Sequence, residues 1–124
     1  MTALPRVLLT NPIHPALLPE LQQHCAVTTA PDTRAATLQQ LVREADALVV
    51  RAQLPPDLFD HAPRLRAVVR HGVGLDMIPV AAATARGIPV ANLPGSNTAA
   101  VVEYCIAAML QLRRGLASVD ARLR

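Results

Sequence analysis

The chain has no lysine, no tryptophan, one tyrosine (Tyr104), one phenylalanine (Phe59) and two cysteines in 124 residues. Each scarcity excludes something. Aromatics at 2% leave no stacking platform for bases, which argues against single-stranded nucleic acid or RNA as a partner. The core must then be built from Ala, Val, Leu and Ile. Cys25 and Cys105 lie far apart without metal-type spacing, so neither a disulfide scaffold nor a zinc site is indicated, and both read as small core hydrophobes. No uncharged apolar run reaches the roughly 18 to 20 residues of a membrane span. The apolar run within Met1–Thr10 is too short for a signal peptide. A soluble, cytoplasmic chain with no membrane partner is expected.

Charge is also scarce, at 17% of residues against 52% apolar, which makes the chain too oily to be disordered. Its length suits one proper hydrophobic core. The net charge is +3, but the twelve arginines are scattered from Arg6 to Arg124. The nearest approach to a cluster is Arg64, Arg66 and Arg70, so a basic nucleic-acid-binding patch is not supported.

What is present is a rhythm. Short apolar runs at Arg6–Thr10, Ala26–Thr29, Ala47–Val50, Ala67–Val69 and Ile88–Ala91 read as five strands. Between them, Ala16–His24, Ala35–Ala45, Pro56–His61 and Pro79–Arg86 carry apolar residues at helical spacing. Ala47–Val50 is continuously apolar and is expected to be covered on both faces. Gly87 stops the fourth helix, and Pro89 favours an edge place for the fifth strand. Alternating strand–helix units with short connections predict an α/β fold, a doubly wound parallel sheet in the flavodoxin-like order 2-1-3-4-5. Ligands of such sheets sit beyond the carboxyl ends of the strands.

Residues 97–124 read as one long helix following a lobe over residues 1–96. Val102, Cys105, Met109, Leu112, Leu116, Val119 and Leu123 recur at alternating steps of three and four, a seam for a partner helix or second domain. At about 1.5 Å per residue the helix would overhang a domain of this size. Gly115, at about 1 kcal/mol relative to alanine, is its weakest point.

Two loops could carry chemistry. Arg70-His-Gly-Val-Gly-Leu-Asp76 directly follows the fourth strand. Its paired glycines free backbone N–H groups to face an anion, with Arg70 as a nearby cation. Asn92-Leu-Pro-Gly-Ser-Asn-Thr98 delivers the long helix's N-terminus to the same end of the sheet, with Asn97 as N-cap. Either loop alone is a weak signal, since glycine turns after strands are ordinary.

Together with Ala82-Ala-Thr-Ala-Arg-Gly-Ile-Pro-Val90 and the continuation of the second loop to Glu103, they resemble the D-isomer-specific 2-hydroxyacid dehydrogenases, the family of phosphoglycerate dehydrogenase. The resemblance is dense from Arg66 to Gly115 and looser but collinear back to Arg6. It covers the substrate-binding lobe of such an enzyme, ahead of its Rossmann domain. It implies that Gly72, Val73 and Gly74 receive the carboxylate of a small 2-hydroxy or 2-oxo acid through their backbone. Val73 would also touch the nicotinamide end of the cofactor, and Arg51 would lie near the substrate's carboxylate or distal group. Asp76 would brace the glycine turn, while Asn97 and Glu103 would hold the geometry of the cleft. Met77 stands where the family commonly has Asn, and Ala52 where Ser is frequent, so the identity of the acid stays open.

The resemblance also implies NAD or NADP as cofactor, yet the family's G-x-G-x-x-G fingerprint and its Arg, Glu and His catalytic group have no counterpart in these residues. No catalytic residue and no metal ligand is therefore assigned, and tight cofactor binding by this chain is not expected. His71 lies in the wrong lobe for the acid–base histidine, and His14, His24 and His61 read as solvated or capping. Two functions stand against each other. One is the substrate lobe of an NAD-dependent dehydrogenase, truncated and inactive alone; the other is a stand-alone carboxylate-binding or dimerisation module. Either is expected to form a homodimer through residues 97–124.

Overall fold

The computed structural model describes residues 3–124. Met1 and Thr2, where the run weighed as a leader begins, lie outside the described residues. The chain divides into two compact units, the first ending at Pro94 and the second spanning Gly95–Arg124.

The first unit alternates as the apolar rhythm predicts. Its order is β1 (Arg6–Leu9), α1 (Leu18–His24), β2 (Ala26–Thr29), α2 (Ala35–Leu41), β3 (Ala47–Val50), β4 (Ala67–Arg70), α3 (Val80–Ala85) and β5 (Val90–Ala91). Short 3-10 turns at Val42–Glu44 and Leu58–His61 flank β3. Every strand pair is parallel and the order is β2-β1-β3-β4-β5. This is the flavodoxin-like winding.

Boundaries differ where backbone chemistry intervenes. α1 begins at Leu18 because Pro19 occupies its first turn, where a missing N–H costs nothing. The helix expected over 35–45 tightens into the 3-10 turn after Leu41, and the one expected at 56–61 is wholly 3-10. β5 shrinks to two residues: the Ile88 N–H bonds to Ala83 O at 3.0 Å, and Pro89 has no N–H to give. Gly87 follows α3 in the left-handed region at φ +67°, with its N–H on Thr84 O.

Register decides the core. Leu8, Leu48 and Val68 are aligned across β1, β3 and β4 and so share one sheet face. Leu38 of α2, Val42, Leu58, Phe59 and Ala83 of α3 close over that face in one cluster with Val50. The lone phenylalanine is thus a core residue. On the opposite face Leu9 is buried, but Ala47 and Val49 are half-buried and Val69 is 36% exposed. The expected double cover of β3 is incomplete: one face is buried, while Ala47 and Val49 on the other are half-buried.

The second unit corrects the single-helix expectation. α4 (Thr98–Arg114) ends at Gly115, whose φ of +59° is left-handed, and α5 (Leu116–Leu123) starts anew. The Gly115 N–H caps Gln111 O at 2.8 Å, a glycine-terminated helix end. The apolar repeat is therefore split after Leu112 rather than continuous. Neither helix buries a residue. Cys105, expected in a core, is exposed on α4, whereas Cys25 is buried and its thiol donates to Leu21 O. Burial raises the Cys25 pKa. No described helix is long and apolar enough to cross a membrane.

Candidate functional site

β4 runs directly into the glycine turn, and the turn's carbonyls are all drawn inward. Arg70 turns back on itself: Nε donates to Gly74 O at 3.1 Å, and Nη1 donates to His71 O at 2.8 Å and Val50 O at 3.0 Å. The Leu93 N–H takes Gly72 O at 2.9 Å, and Asn92 Nδ2 donates to Val73 O at 2.8 Å. Arg70, expected as a cation near the turn, fixes the turn through these bonds.

The amides divide differently from the expectation. The Gly72 N–H closes a tight turn onto Arg70 O at 2.9 Å. Among the described residues, the Val73 and Gly74 N–H groups have no acceptor, and both residues are exposed. With the four carbonyls from His71 to Gly74 bound and two amides free, the turn offers N–H groups rather than C=O groups to a ligand. Gly72 contributes by shape, because a Cβ there would stand 3.0 Å from the Arg70 guanidinium carbon. At Gly74 a Cβ would meet Asp76 Oδ1 at 2.6 Å, so the Asp76 carboxylate lies against the turn.

Arg51 follows β3 on the neighbouring strand. The last β3–β4 pair is Val50 with Arg70, and the His71 N–H donates to Val50 O at 3.0 Å, so Arg51 and His71 each directly follow that pair on their own strand. Arg51 Nη1 donates to Pro12 O at 2.7 Å, and its backbone N–H donates to Thr10 Oγ1 at 2.9 Å. Thr10 is 1% exposed, so this hydroxyl ties the carboxyl ends of β1 and β3 together out of water. The Pro12 carbonyl thereby orients the Arg51 guanidinium, and its remaining donors carry no partner among the described residues.

Arg51, Gly72, Val73, Gly74 and Asp76 thus gather at the carboxyl end of the first unit's sheet. Asn97 and Glu103 belong to the second unit. Asn97 stands at the N-cap position of α4 but makes no side-chain capping bond, and Glu103 is exposed on α4. Two residues of the site's framework escaped the sequence reading: Asn92, whose amide clamps Val73, and Thr10, whose hydroxyl takes the Arg51 N–H. Asn92 opens the second loop motif, but nothing local signals that its side chain reaches back nineteen positions. His14 Nδ1 accepts the Ala16 N–H, and His61 sits 3.6 Å from Asp57, in keeping with capping and surface roles. Among the described residues no cluster of His, Cys, Asp and Glu is arranged to hold a metal ion.

Comparison with known proteins gives this geometry a family. The family model of the D-isomer specific 2-hydroxyacid dehydrogenase catalytic domain matches residues 7–122. D-3-phosphoglycerate dehydrogenase of Mycobacterium tuberculosis is 38% identical over 124 residues, covering 98% of this chain and 24% of that protein. Glyoxylate reductase of Thermococcus gammatolerans is 34% identical over 125 residues, covering 97% and 37% respectively. Among solved structures, the NADPH-dependent glyoxylate/hydroxypyruvate reductase of Sinorhizobium meliloti in complex with citrate superposes with a TM-score of 0.84 at 32% identity, covering 97% of this chain and 38% of that one. The same reductase with NADP and malonate gives 0.82. The chain spans 24% to 38% of the length of these relatives, and within that span it belongs to the D-isomer specific 2-hydroxyacid dehydrogenases, matching their catalytic domain.

Proposed function

We propose that this chain is the substrate-binding lobe of an NAD- or NADP-dependent D-2-hydroxyacid dehydrogenase, and that Val73 and Gly74 receive the substrate carboxylate. The observation that carries the reading is the polarity of the glycine turn, whose carbonyls are bound from behind while those two amides stand free. A carboxylate there accepts two charge-assisted hydrogen bonds, with the Arg51 guanidinium as a third donor group nearby. Gly72 keeps the turn's shape, and Asp76 braces it by packing on Gly74. The Sinorhizobium meliloti reductase, whose solved complexes hold citrate and malonate, gives the carboxylate reading a parallel in the family.

The cofactor fits in part. Val73 is 39% exposed beside the free amides and offers an apolar surface for the nicotinamide end. Nothing in the 124 residues matches the glycine fingerprint that cradles a dinucleotide's pyrophosphate. A bound nicotinamide would supply hydride-transfer chemistry at C2 of the acid, and the residues of this chain would bind and orient the acid for it. Asn97 and Glu103, at the start of the second unit, take a supporting role in the cleft. The chain is read as cytoplasmic, in keeping with its free Cys25 and Cys105.

The second unit serves in this reading as the contact surface of a two-fold homodimer. Tyr104, Leu112 and Leu123 are 73%, 85% and 82% exposed, and burying each large apolar side chain contributes about 1.5 to 3 kcal/mol. Sedimentation velocity of the wild type against Leu112→Glu is expected to show a dimer turning monomer; a wild-type monomer at tens of micromolar removes this part.

Chemical-shift titration with D-lactate tests the site itself. Val73 and Gly74 amides are expected to move, with a dissociation constant of about 1 mM, near −4 kcal/mol. Movement elsewhere with those two amides unmoved overturns the assignment.

A further inference from the structure

Away from the glycine turn, toward the amino ends of the strands, part of the sheet is left bare. β2 is an edge strand, and its register with β1 puts Ala26 and Thr28 on the same face as Arg6 and Leu8. α2 leads from β2 to β3 across β1, and its Leu38 belongs to the cluster that contains Leu8 and Leu48. The helix therefore covers the middle of the sheet and not its outer strand, where Ala26 and Thr28 are both exposed. With only a methyl group at Ala26 to fill the space, a hollow of about 350 Å³ remains between β2 and the end of α2. Ligand pockets start at about 300 Å³.

The chemistry of this hollow is divided. Leu8, Leu41 and Ala45 give it an apolar wall. Arg6, Thr28, Gln40 and Glu44 give it a polar margin. Arg6 Nη1 donates to Glu44 Oε2, so a cation and an anion stand side by side there. Arg64 approaches the same Glu44 oxygen at 4.0 Å but is engaged more closely by Asp46, at 3.2 Å. Bonding capacity is left over: Arg6 Nε and Nη2, Glu44 Oε1, the Thr28 hydroxyl and the Gln40 amide have no partner among the described residues. An exposed ion pair contributes little to stability, so sharing it with a ligand costs little.

Charge selects the ligand. The lining carries one charge of each sign, on Arg6 and Glu44. A lone carboxylate would meet Arg6 but also Glu44, and a lone ammonium would meet Glu44 but also Arg6. A molecule with both groups on one carbon satisfies the two at once. Its carboxylate accepts from the free edge of the guanidinium, and its ammonium donates to Glu44 Oε1. An aliphatic body on that carbon then covers Leu8, Leu41 and Ala45. We propose that this hollow is a binding site for a free α-amino acid with a branched aliphatic side chain. It is separate from the carboxylate site of the glycine turn and does not depend on it.

The test is a chemical-shift titration of the 124-residue chain with four probes: L-leucine, 4-methylpentanoate (no ammonium), 3-methylbutylamine (no carboxylate) and L-alanine (no branched body). L-leucine is expected to shift the Thr28, Leu41 and Ala45 amides. Read at those amides, it is expected to bind at least fivefold tighter than each of the other three. Glu44→Gln keeps the size and removes the anion, and L-leucine is expected to fall to the affinity of 4-methylpentanoate. Thr28→Leu, at an exposed position, fills the hollow and is expected to abolish L-leucine binding at Leu41 and Ala45; Glu44→Gln decides alone if that variant does not fold. Silence of the three amides with L-leucine overturns the site. Equal binding of 4-methylpentanoate or 3-methylbutylamine overturns the zwitterion, as does an L-leucine advantage that survives Glu44→Gln. Binding that survives in folded Thr28→Leu places the ligand elsewhere and overturns the proposal.

Discussion

Arg70 Nε holds the carbonyl of Gly74 at 3.1 Å, so the side chain that closes β4 also sets the far end of the glycine turn. The same guanidinium binds Val50 O on β3 and His71 O beside it. One cation thus fastens the turn to two strands, while the Val73 and Gly74 amides have no acceptor among the described residues.

Arg70→Met is expected to lower stability by about 1 to 3 kcal/mol, because three carbonyls lose a charged donor at once. Urea unfolding measures it, and amide exchange at Val73 and Gly74 is expected to speed up in parallel. Arg70→Lys is not expected to rescue the turn, since a single ammonium cannot span acceptors set around a planar fork. Unchanged stability in Arg70→Met would remove the guanidinium from the turn's framework.

Gly74→Ala brings a methyl group to 2.6 Å from Asp76 Oδ1, so Asp76 must swing away. The single variant is expected to lose a few-fold in D-lactate affinity as the turn shifts. In Gly74→Ala combined with Asp76→Ala the clash is gone, and most of that loss is expected to return. Additive effects of the two substitutions in the titration would count against contact between these residues.

Asp46 accepts the backbone N–H of Arg6 at 2.8 Å and the Arg64 guanidinium at 3.2 Å. The Arg6 N–H, foremost, and Arg64 after it hold the Asp46 carboxyl below its ordinary value against the opposing effect of burial. A carboxyl whose folded pKa is depressed contributes stability above its unfolded pKa, about 3.9, and loses it as pH falls through the folded value. The melting-temperature gap between wild type and Asp46→Asn is therefore expected to be full at pH 6 to 7 and to close as pH drops below about 4. Asp32, held well below the usual carboxylate range by Arg34 and then Thr37, acts in the same direction. A gap that does not change with pH would mean that the Asp46 charge contributes nothing.

Gly115→Ala meets no steric obstacle, as nothing lies within 4 Å of the added methyl group. Its effect is on the backbone alone: the left-handed conformation costs a non-glycine residue about 1 to 2 kcal/mol, and alanine gains about 1 kcal/mol over glycine inside a helix. Both terms favour joining α4 to α5. A helical carbon chemical shift at residue 115 and increased far-ultraviolet helicity are expected; retention of the left-handed shift would show that the break is held by more than glycine.

The 124-residue chain alone is expected to show no hydride transfer from D-lactate to NAD or NADP, because no dinucleotide fingerprint lies in it. Measurable turnover by the purified chain, lost in His71→Ala, would reverse this and make His71 an acid–base group.

Much of the fold was legible because it depends on local patterns. Ala47-Leu-Val-Val50 and Ala67-Val-Val69 read as strands from apolar runs alone, and short connections between alternating elements leave few alternatives to a parallel sheet. Gly87 and Gly115 announce helix ends because glycine is the residue that enters the left-handed region freely. The glycine turn was visible as a motif on the same grounds. What the motif cannot contain is the direction of its peptide groups. Those groups are held by Arg70, which also reaches Val50 across twenty positions, and by Asn92 reaching Val73 across nineteen, just as Thr10 meets Arg51 across forty-one at the neighbouring strand end. Which acceptor each donor finds depends on which strands become neighbours, a property of the assembled sheet rather than of any segment. Nδ1 of His71, sealed from solvent and without a hydrogen bond among the described residues, belongs to the same class: its isolation is defined by everything that packs around it.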